Sequence, residues 1–458
     1  MRIIHYMILL LVLGACSPGS RTEYDLAIKN IHLIDGTGDS MRTSTNVFIR
    51  DGRIVGIRDE WNNAGAKAII DGSNRYLIPG LFDPHVHLLY DSSKIERSLR
   101  QLVHFGVTSI LVPGGHLGTY GNLKRFDSLE QNGHITAPHL YYTSLIVTKP
   151  GAHPMKTYGS SHYKDGVNVH LVKNHEQIGS IANRARREGA IALKLMVEDG
   201  PQPPFTERIN EEYIQTMARE GAQTGLPLFT HVSDMKEVRM SVHNGAQCLM
   251  HFLGVRINRE RDADLIRQIT RDSISWVTTM MLGKSFFYPL NKEWMEQEGW
   301  QVYGQDELLP LYDTNGKLAE QSRMILEHFA GSSTISMEQL LKPMMEDIAW
   351  LYDQGVNVVT GTDVGGRPYI LPGISLHEEM KLLQMGGMDP LDIIRTTTRN
   401  AALMLGVLED YGTVETGKYA DLVILARNPL EDITHTRSIT RVIKHGEIQQ
   451  RIQPGSGD

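Results

Sequence analysis

Residues 81–87 read LFDPHVH, a short apolar run that ends in two histidines one residue apart. Seven further runs of similar length follow it, and amphipathic helical patterns such as residues 94–105 and 211–225 separate them. The eight predicted strands cover residues 81–87, 107–113, 139–147, 190–197, 227–232, 246–252, 273–280 and 356–363. Strands that alternate with helices in this number predict an α/β fold, a closed (β/α)₈ TIM barrel. Functional residues of such a barrel lie at the carboxyl ends of its strands.

Strand-rich segments flank the predicted barrel on both sides. The pair Asp51-Gly52 separates two short β-rich runs and is typical of a tight hairpin turn. Further β-rich runs occur at residues 420–425 and 439–443. We therefore predict a small β-sandwich domain built from both termini. The predicted division is residues 24–79 and 412–450 for the β-sandwich and residues 80–411 for the barrel.

The first residues resemble an export signal. Arg2 precedes an apolar run at residues 6–13, which is far short of the roughly 20 apolar residues needed to cross a bilayer. The tetrad LGAC at residues 13–16 resembles a bacterial lipobox. We expect residues 1–16 to be a lipoprotein signal peptide, residues 17–23 a tether, and Cys16 to carry a lipid. The protein would then be exported and anchored at the bacterial cell envelope, on the periplasmic or outer-membrane face, which membrane fractionation of a Cys16→Ser variant would test; a plain secretory signal is the alternative.

Charge and cysteine content narrow the partners further. The formal net charge of -7 gives no basic footprint for nucleic acid. Of the two cysteines, Cys16 would be lipidated, so no intrachain disulfide can form. Cys248 lies in an apolar stretch, which favours a buried, unreactive thiol over a nucleophile.

Candidate metal ligands lie at the predicted strand ends. His85 and His87 project to the same side of a strand, because side chains alternate along it. Lys194 is flanked by apolar residues, and burial disfavours its cationic form. A neutral lysine can react with carbon dioxide to give a carbamate, an anion that bridges two metals. The alternative is an ammonium group that reaches a carboxylate or solvent at the barrel mouth.

Three more strands end in residues of the same kind. His231 and His251 end the fifth and sixth strands, and Asp363 ends the eighth. Taken singly, each histidine is more often a satisfied core residue, and Asp363 could cap the following Gly365-Gly366 turn. Taken together with the first three candidates, they suit two divalent metals, with Zn²⁺ as the expected ion. A water between the two metals would ionise near neutral pH and act as the nucleophile, with Asp363 as general base.

Two motifs resemble the amidohydrolase superfamily, within it the branch of Xaa-Pro dipeptidases and imidazolonepropionase-like proteins, here in a bacterial lipoprotein form. They are IPGLFDPHVH at residues 78–87 and GTVETGKYADLV at residues 412–423. The resemblance implies one metal on His85, His87 and Asp363, a second on His231 and His251, and a carbamate of Lys194 between them. It also implies that Asp363 gives a proton to the leaving amine. His153, in the element PGAH at residues 150–153, would polarise the scissile carbonyl, although Ala152 replaces a family glycine.

The expected reaction is hydrolysis of a peptide or amide C–N bond in a small substrate, such as a dipeptide or an N-acyl amino acid. The alternatives are a mononuclear deaminase or imidazolone-type cyclic-amide hydrolase, against which Lys194 argues, and a lipoprotein that keeps the scaffold for binding only. The connection at residues 282–354 is long and rich in aromatic residues. It is either a lid that shapes the substrate pocket or a packing or oligomer surface. In the second case the protein could form a homo-oligomer.

Overall fold

A computed structural model describes residues 23–61, 65–88, 92–114, 119–158, 163–200, 205–297, 300–312 and 315–452. The predicted signal peptide, Cys16 and all but the last residue of the predicted tether lie outside these ranges. Among the helices in the described ranges, none combines the length and the apolar character that a membrane crossing requires.

Eighteen strands are described, and their lengths range from two to ten residues. They are β1 (Tyr24–Leu33), β2 (Arg42–Arg50), β3 (Arg53–Arg58), β4 (Ala66–Asp71), β5 (Tyr76–Pro79), β6 (Leu81–Asp83), β7 (Val107–Val112), β8 (His139–Tyr142), β9 (Ile146–Thr148), β10 (Val169–Leu171), β11 (Leu193–Met196), β12 (Leu228–His231), β13 (Cys248–Met250), β14 (Ser275–Val277), β15 (Asn357–Val359), β16 (Leu422–Leu425), β17 (Ile439–Lys444) and β18 (Glu447–Ile448).

Helices follow most of the parallel strands and cover the outside of the barrel. The α-helices are α1 (Ser92–His104), α2 (Tyr120–Gln131), α3 (Met155–Tyr158), α4 (Glu176–Glu188), α5 (Glu211–Thr224), α6 (Met235–His243), α7 (Ala263–Arg271), α8 (Met281–Ser285), α9 (Glu293–Gln297), α10 (Gln305–Leu308), α11 (Lys317–Ala330), α12 (Met337–Asp353), α13 (Ile374–Met385), α14 (Pro390–Thr397) and α15 (Arg399–Met404). Short 3₁₀ helices span Tyr288–Leu290, Trp300–Val302, Leu309–Tyr312 and Ile433–Arg437.

Strands from both ends of the chain form one β domain. Their order in the sheet is β18-β17-β16-β5-β1-β2-β3, with β4 also beside β1. The hairpin between β2 and β3 turns at Asp51 and Gly52, whose φ angles of 51° and 73° are those that a two-residue primed turn requires. Side chains of this sheet form an apolar cluster that includes Ile28, Leu77 and Ile424. The β domain predicted from both termini is thus built on one continuous sheet.

Parallel strands form the predicted barrel. One set pairs in the order β6-β7-β8 and the other in the order β10-β9-β11-β12-β13-β14-β15. The backbone N–H of Ser144 donates to the Ala192 carbonyl (2.8 Å), which connects the third strand to the fourth. The barrel closes where the Asp363 N–H donates to the His85 carbonyl (2.9 Å) and Val86 bridges Val364. The predicted α/β fold, a TIM barrel with a β domain, is confirmed.

The third predicted strand, at residues 139–147, is interrupted, and this part of the expectation is wrong in detail. The chain forms β8 and β9 with an irregular stretch between them. Within that stretch the Ser144 hydroxyl accepts the backbone N–H of Lys194 (2.9 Å), where a regular ladder would use a carbonyl. The strand is interrupted beside Lys194, because the Ser144 hydroxyl takes the place of the backbone acceptor there.

The long connection at residues 282–354 is mostly helical, from α8 to α12. Its aromatic residues Phe286, Tyr288 and Trp300 are buried, and the ring of Tyr288 stacks on that of Tyr369 with centroids 5.6 Å apart. These rings are packed inside the protein, as one of the two expectations for this segment describes.

Candidate metal centre

Five of the six predicted metal ligands lie at or just after the carboxyl ends of barrel strands, and the sixth lies inside a strand. His85 and His87 follow β6, Lys194 lies in β11, and His231 ends β12, while His251 and Asp363 follow β13 and β15. Two of them, His251 and Asp363, have positive φ angles of 78° and 67°. A non-glycine residue in this region costs about 1–3 kcal/mol, and such strain is concentrated at functional sites.

His85, His87 and Asp363 form the first group of converging side chains. Asp363 Oδ1 lies 3.3 Å from His85 Nε2 and 3.1 Å from His87 Nε2. The Nδ1 atom of His87 lies 3.0 Å from the carbonyl oxygen of Gly114, which orients its ring. The three potential ligand atoms lie within 4.8 Å of one another. Two imidazoles and a carboxylate in this arrangement suit a divalent metal.

Asp83 connects the two strand ends that carry this group. The Asp83 carboxylate is fully buried and accepts hydrogen bonds from the N–H (3.1 Å) and the hydroxyl (2.6 Å) of Thr362. Burial raises the pKa of Asp83 to about 7. The residue before Asp363 is thereby connected to the strand that leads into His85.

His251 bridges the first group and His231. Its ring centroid lies 4.5 Å from that of His85 and 4.1 Å from that of His231. Its Nδ1 lies 2.8 Å from the hydroxyl oxygen of Thr279, whereas its buried Nε2 has no hydrogen-bond partner among the described residues. A buried polar atom without a partner is rare in proteins. The pairing of one ring nitrogen while the other faces the cluster fits a metal-binding imidazole.

Lys194 lies at the centre of the barrel. Its side chain is 1% exposed, and its Nζ lies 2.8 Å from the sulfur of Met250. Among the residues that the structure describes, no carboxylate lies within ion-pair distance of this nitrogen. Burial lowers the pKa of Lys194 to about 7, so a large fraction of the amine is neutral at physiological pH.

Burial also keeps the imidazoles neutral. The pKa values of His85, His231 and His251 lie well below the ordinary value, mainly because burial disfavours the charged ring. A neutral imidazole has a free lone pair for a metal. Cys248, next to Lys194, is buried, and burial raises its pKa to about 12, so its thiol is unreactive as the sequence predicts.

A second group contains a residue that the sequence analysis missed. Glu198 is 6% exposed, and its Oε2 contacts His231 Nε2 closely and lies 3.8 Å from His153 Nε2. The ligand atoms of these three residues lie within 4.8 Å of one another. No strand pattern marks Glu198 in the sequence, because it lies two residues beyond the end of β11, where the alternation of side chains no longer applies. Thr279, the partner of His251, was missed as well.

We call these eight residues the mouth cluster: His85, His87, His153, Lys194, Glu198, His231, His251 and Asp363. Neutral imidazoles, carboxylates and a neutral amine converge here, and buried nitrogen atoms of His85 and His251 lack hydrogen-bond partners among the described residues. This donor set fits divalent metals that prefer nitrogen and oxygen ligands.

A contrasting group lies at the other end of the barrel, where β8 begins. This base cluster consists of Glu130, His139, Asp421, Lys444 and His445. His139 Nε2 lies 3.0 Å from Asp421 Oδ2, Lys444 pairs closely with Glu130, and the His445 backbone N–H donates to Asp421 (2.8 Å). The cluster connects the barrel to the β domain through bonds among its own members.

Comparison with known proteins identifies the family of this chain. The profile of the amidohydrolase family matches residues 76–449. An imidazolonepropionase from Symbiobacterium thermophilum is 23% identical over 420 residues, which cover 87% of this chain and 88% of that protein. An adenine deaminase from Desulforamulus reducens is 27% identical over 135 residues, which cover 30% of this chain but only 22% of that protein.

Among solved structures, a Xaa-Pro dipeptidase with bound methionine in its active site has a TM-score of 0.71 at 17% identity. The match covers 93% of this chain and 99% of that one. At this identity the likeness shows a shared fold. Because the family profile matches most of the sequence, including both ends of the barrel, the chain belongs to the amidohydrolase family and is a metal-dependent hydrolase of carbon–nitrogen bonds.

Proposed function

We propose that this chain is a binuclear amidohydrolase that cleaves a peptide or amide bond in a small substrate, such as a dipeptide or an N-acyl amino acid. The observation that carries the proposal is the buried, unpaired Lys194 amine among neutral histidines at the barrel mouth. A lysine in this position is costly unless its charge is removed or compensated. Reaction of its neutral amine with carbon dioxide forms an N–C bond, releases one proton and leaves a carbamate anion that two cations would stabilise.

In this proposal, His85, His87 and Asp363 would hold one metal, His231 and His251 would hold the other, and the carbamate of Lys194 would be a further ligand. The expected ion is Zn²⁺. When bound, the metals would supply Lewis acidity and lower the pKa of a water molecule between them. The remaining steps fall to side chains of the chain itself.

Asp363 is positioned to move the proton. Its carboxylate would accept a proton from the attacking water and return it to the amine nitrogen as the C–N bond breaks, which makes the amine a better leaving group. Gly366 lies directly against this carboxylate, since a Cβ atom there would come within 2.2 Å of Asp363 Oδ2. A larger residue at position 366 would displace the Asp363 carboxylate.

His153 is the candidate for holding the substrate carbonyl oxygen. Its backbone N–H donates to the Thr206 hydroxyl (3.1 Å), and its carbonyl accepts from the Thr148 hydroxyl (2.7 Å). These two contacts fix the backbone that presents the ring. A neutral imidazole that donates a hydrogen bond to the carbonyl oxygen would stabilise the charge that develops there.

Metal analysis and a substrate screen test the proposal together. We expect about two metals per chain and hydrolysis of members of a dipeptide and N-acyl amino acid library. Lys194→Ala should lose metal and activity, with partial recovery in formate, acetate or propionate. Lys124→Ala, on the surface beside Glu188, is the matched control and should behave as wild type.

Each contrary result points to a different alternative. One metal per chain would favour a mononuclear deaminase or cyclic-amide hydrolase. Unchanged turnover in Lys194→Ala would refute the carbamate. A chain that binds two metals and hydrolyses no member of the library would favour the binding lipoprotein.

A further inference from the structure

Glu198 is a buried carboxylate that the six-ligand arrangement does not use. It lies at the carboxyl end of the fourth barrel strand, four residues after Lys194, and is 6% exposed. Its Oε2 is in close contact with Nε2 of His231. The same oxygen lies 3.8 Å from Nε2 of His153.

Within the described ranges, Glu198 forms no ion pair with a lysine or arginine. The guanidinium group of Arg208 is already paired with three other carboxylates: Asp199 (2.8 Å), Asp234 (2.7 Å) and Glu237 (3.0 Å). A buried carboxylate between two imidazoles is costly unless a cation or a proton compensates its charge. In the part of the chain that the structure describes, no ion pair with a lysine or arginine therefore compensates the charge of Glu198.

We propose that Glu198 is a carboxylate ligand of the metal held by His231. This inference rests on the proposed function and adds a seventh ligand to it. It also balances the charge of the centre. Two divalent cations carry four positive charges, while a hydroxide, the carbamate, Asp363 and Glu198 carry one negative charge each. Without Glu198 the centre would keep one uncompensated positive charge in a buried site.

The proposal also separates the roles of the two histidines near Glu198. If Glu198 binds the metal at His231, it has no orienting role toward His153, which would contact the substrate. A Glu198 that instead shares a proton with His231 or His153 would only orient rings, and its loss would weaken metal binding about 10- to 100-fold without changing the ligands of the ion.

Cobalt titration of the metal-free full chain distinguishes these roles. Co²⁺ binding is followed by equilibrium dialysis and by visible absorption, which responds to the ligands of the ion. In Glu198→Gln, which keeps the shape and removes the charge, we expect one equivalent to bind as in wild type. The other should bind more than about 100-fold more weakly, beyond the 10- to 100-fold expected for loss of an indirect partner, and its visible spectrum should change. Asp199→Asn is the matched control, because the neighbouring carboxylate faces Arg208, and both equivalents should bind as in wild type.

Two equivalents bound by Glu198→Gln with the wild-type spectrum, at wild-type affinity or with a loss of only about 10- to 100-fold, would overturn the inference while leaving the proposed function intact. A wild-type chain that binds only one equivalent would overturn the binuclear function, and an altered spectrum of that equivalent in Glu198→Gln would still identify Glu198 as a ligand. If Glu198→Gln does not fold, Glu198→Asp decides. It keeps the charge but shortens the side chain, so a metal ligand predicts an altered cobalt spectrum and a purely orienting residue predicts the wild-type spectrum.

Discussion

The two ends of the barrel carry clusters of the same residue types, but the hydrogen-bonding groups of the two clusters are satisfied to different extents. The base cluster and the mouth cluster are both largely buried, and both combine histidines, carboxylates and a lysine from distant parts of the chain. At the base, no buried side-chain nitrogen or oxygen of the five residues lacks a hydrogen-bond partner. At the mouth, Nδ1 of His85 and Nε2 of His251 have none among the described residues.

The difference lies in how charge is compensated. Lys444 at the base faces a carboxylate, whereas Lys194 at the mouth faces the sulfur of Met250. A cluster that satisfies itself contributes stability, and a cluster that leaves donors and acceptors open is suited to a ligand. Residue type alone therefore does not indicate a metal site. Buried side-chain atoms without hydrogen-bond partners do.

The largest effect is expected from Asp363→Asn at the mouth. Loss of the proton-accepting carboxylate should lower kcat about 10²- to 10⁴-fold, measured on a substrate from the library. The equivalent change at the base, Asp421→Asn, should leave kcat per folded molecule near the wild-type value. A drop in kcat of the same size in both variants would erase the distinction between the clusters.

At the base, Lys444→Met should act on stability. Glu130 would lose its cation in a buried position, which costs about 3–5 kcal/mol in the free energy of unfolding, measured by urea denaturation. Metal content should stay unchanged. Lys124→Met removes the comparable but exposed pair with Glu188 and should cost at most about 1 kcal/mol. Equal losses from the two variants would contradict the assignment of the base cluster to stability.

The smallest effect is expected from Thr279→Val, which removes the hydroxyl beside His251 Nδ1. Valine is also β-branched, so the strain at the positive φ of residue 279 is retained. Metal affinity should fall about 10- to 100-fold, measured by competition with a chelator.

Thr436→Val is a close control for this change. The Thr436 hydroxyl lies 2.8 Å from Nδ1 of His377, the same distance as in the Thr279 pair, but Nε2 of His377 is already paired with the Phe105 carbonyl. Metal affinity of Thr436→Val should equal that of wild type. A loss of affinity there would mean that any buried threonine–histidine pair affects the metals indirectly through stability.

The sequence predicted the barrel because short apolar runs and amphipathic helices are local signals. It also placed the six candidate ligands, since strand ends in a parallel barrel face one way. It did not reveal Glu198, which lies just beyond the end of β11 where alternation along a regular strand no longer guides the reader. Thr279 escaped notice because a hydroxyl that orients an imidazole carries no pattern of its own. The base cluster depends on contacts between segments more than 280 residues apart, such as His139 and Asp421.

The seam of the barrel has a consequence for how the protein comes into being. His85 and His87 belong to the strand that is synthesised first, whereas Asp363 arrives with the last one, and the backbone bond between His85 and Asp363 joins the two. A nascent chain that stops short of β15 carries two histidines without their carboxylate. Under the proposed function, the first metal site would therefore be complete only once the final strand has been added.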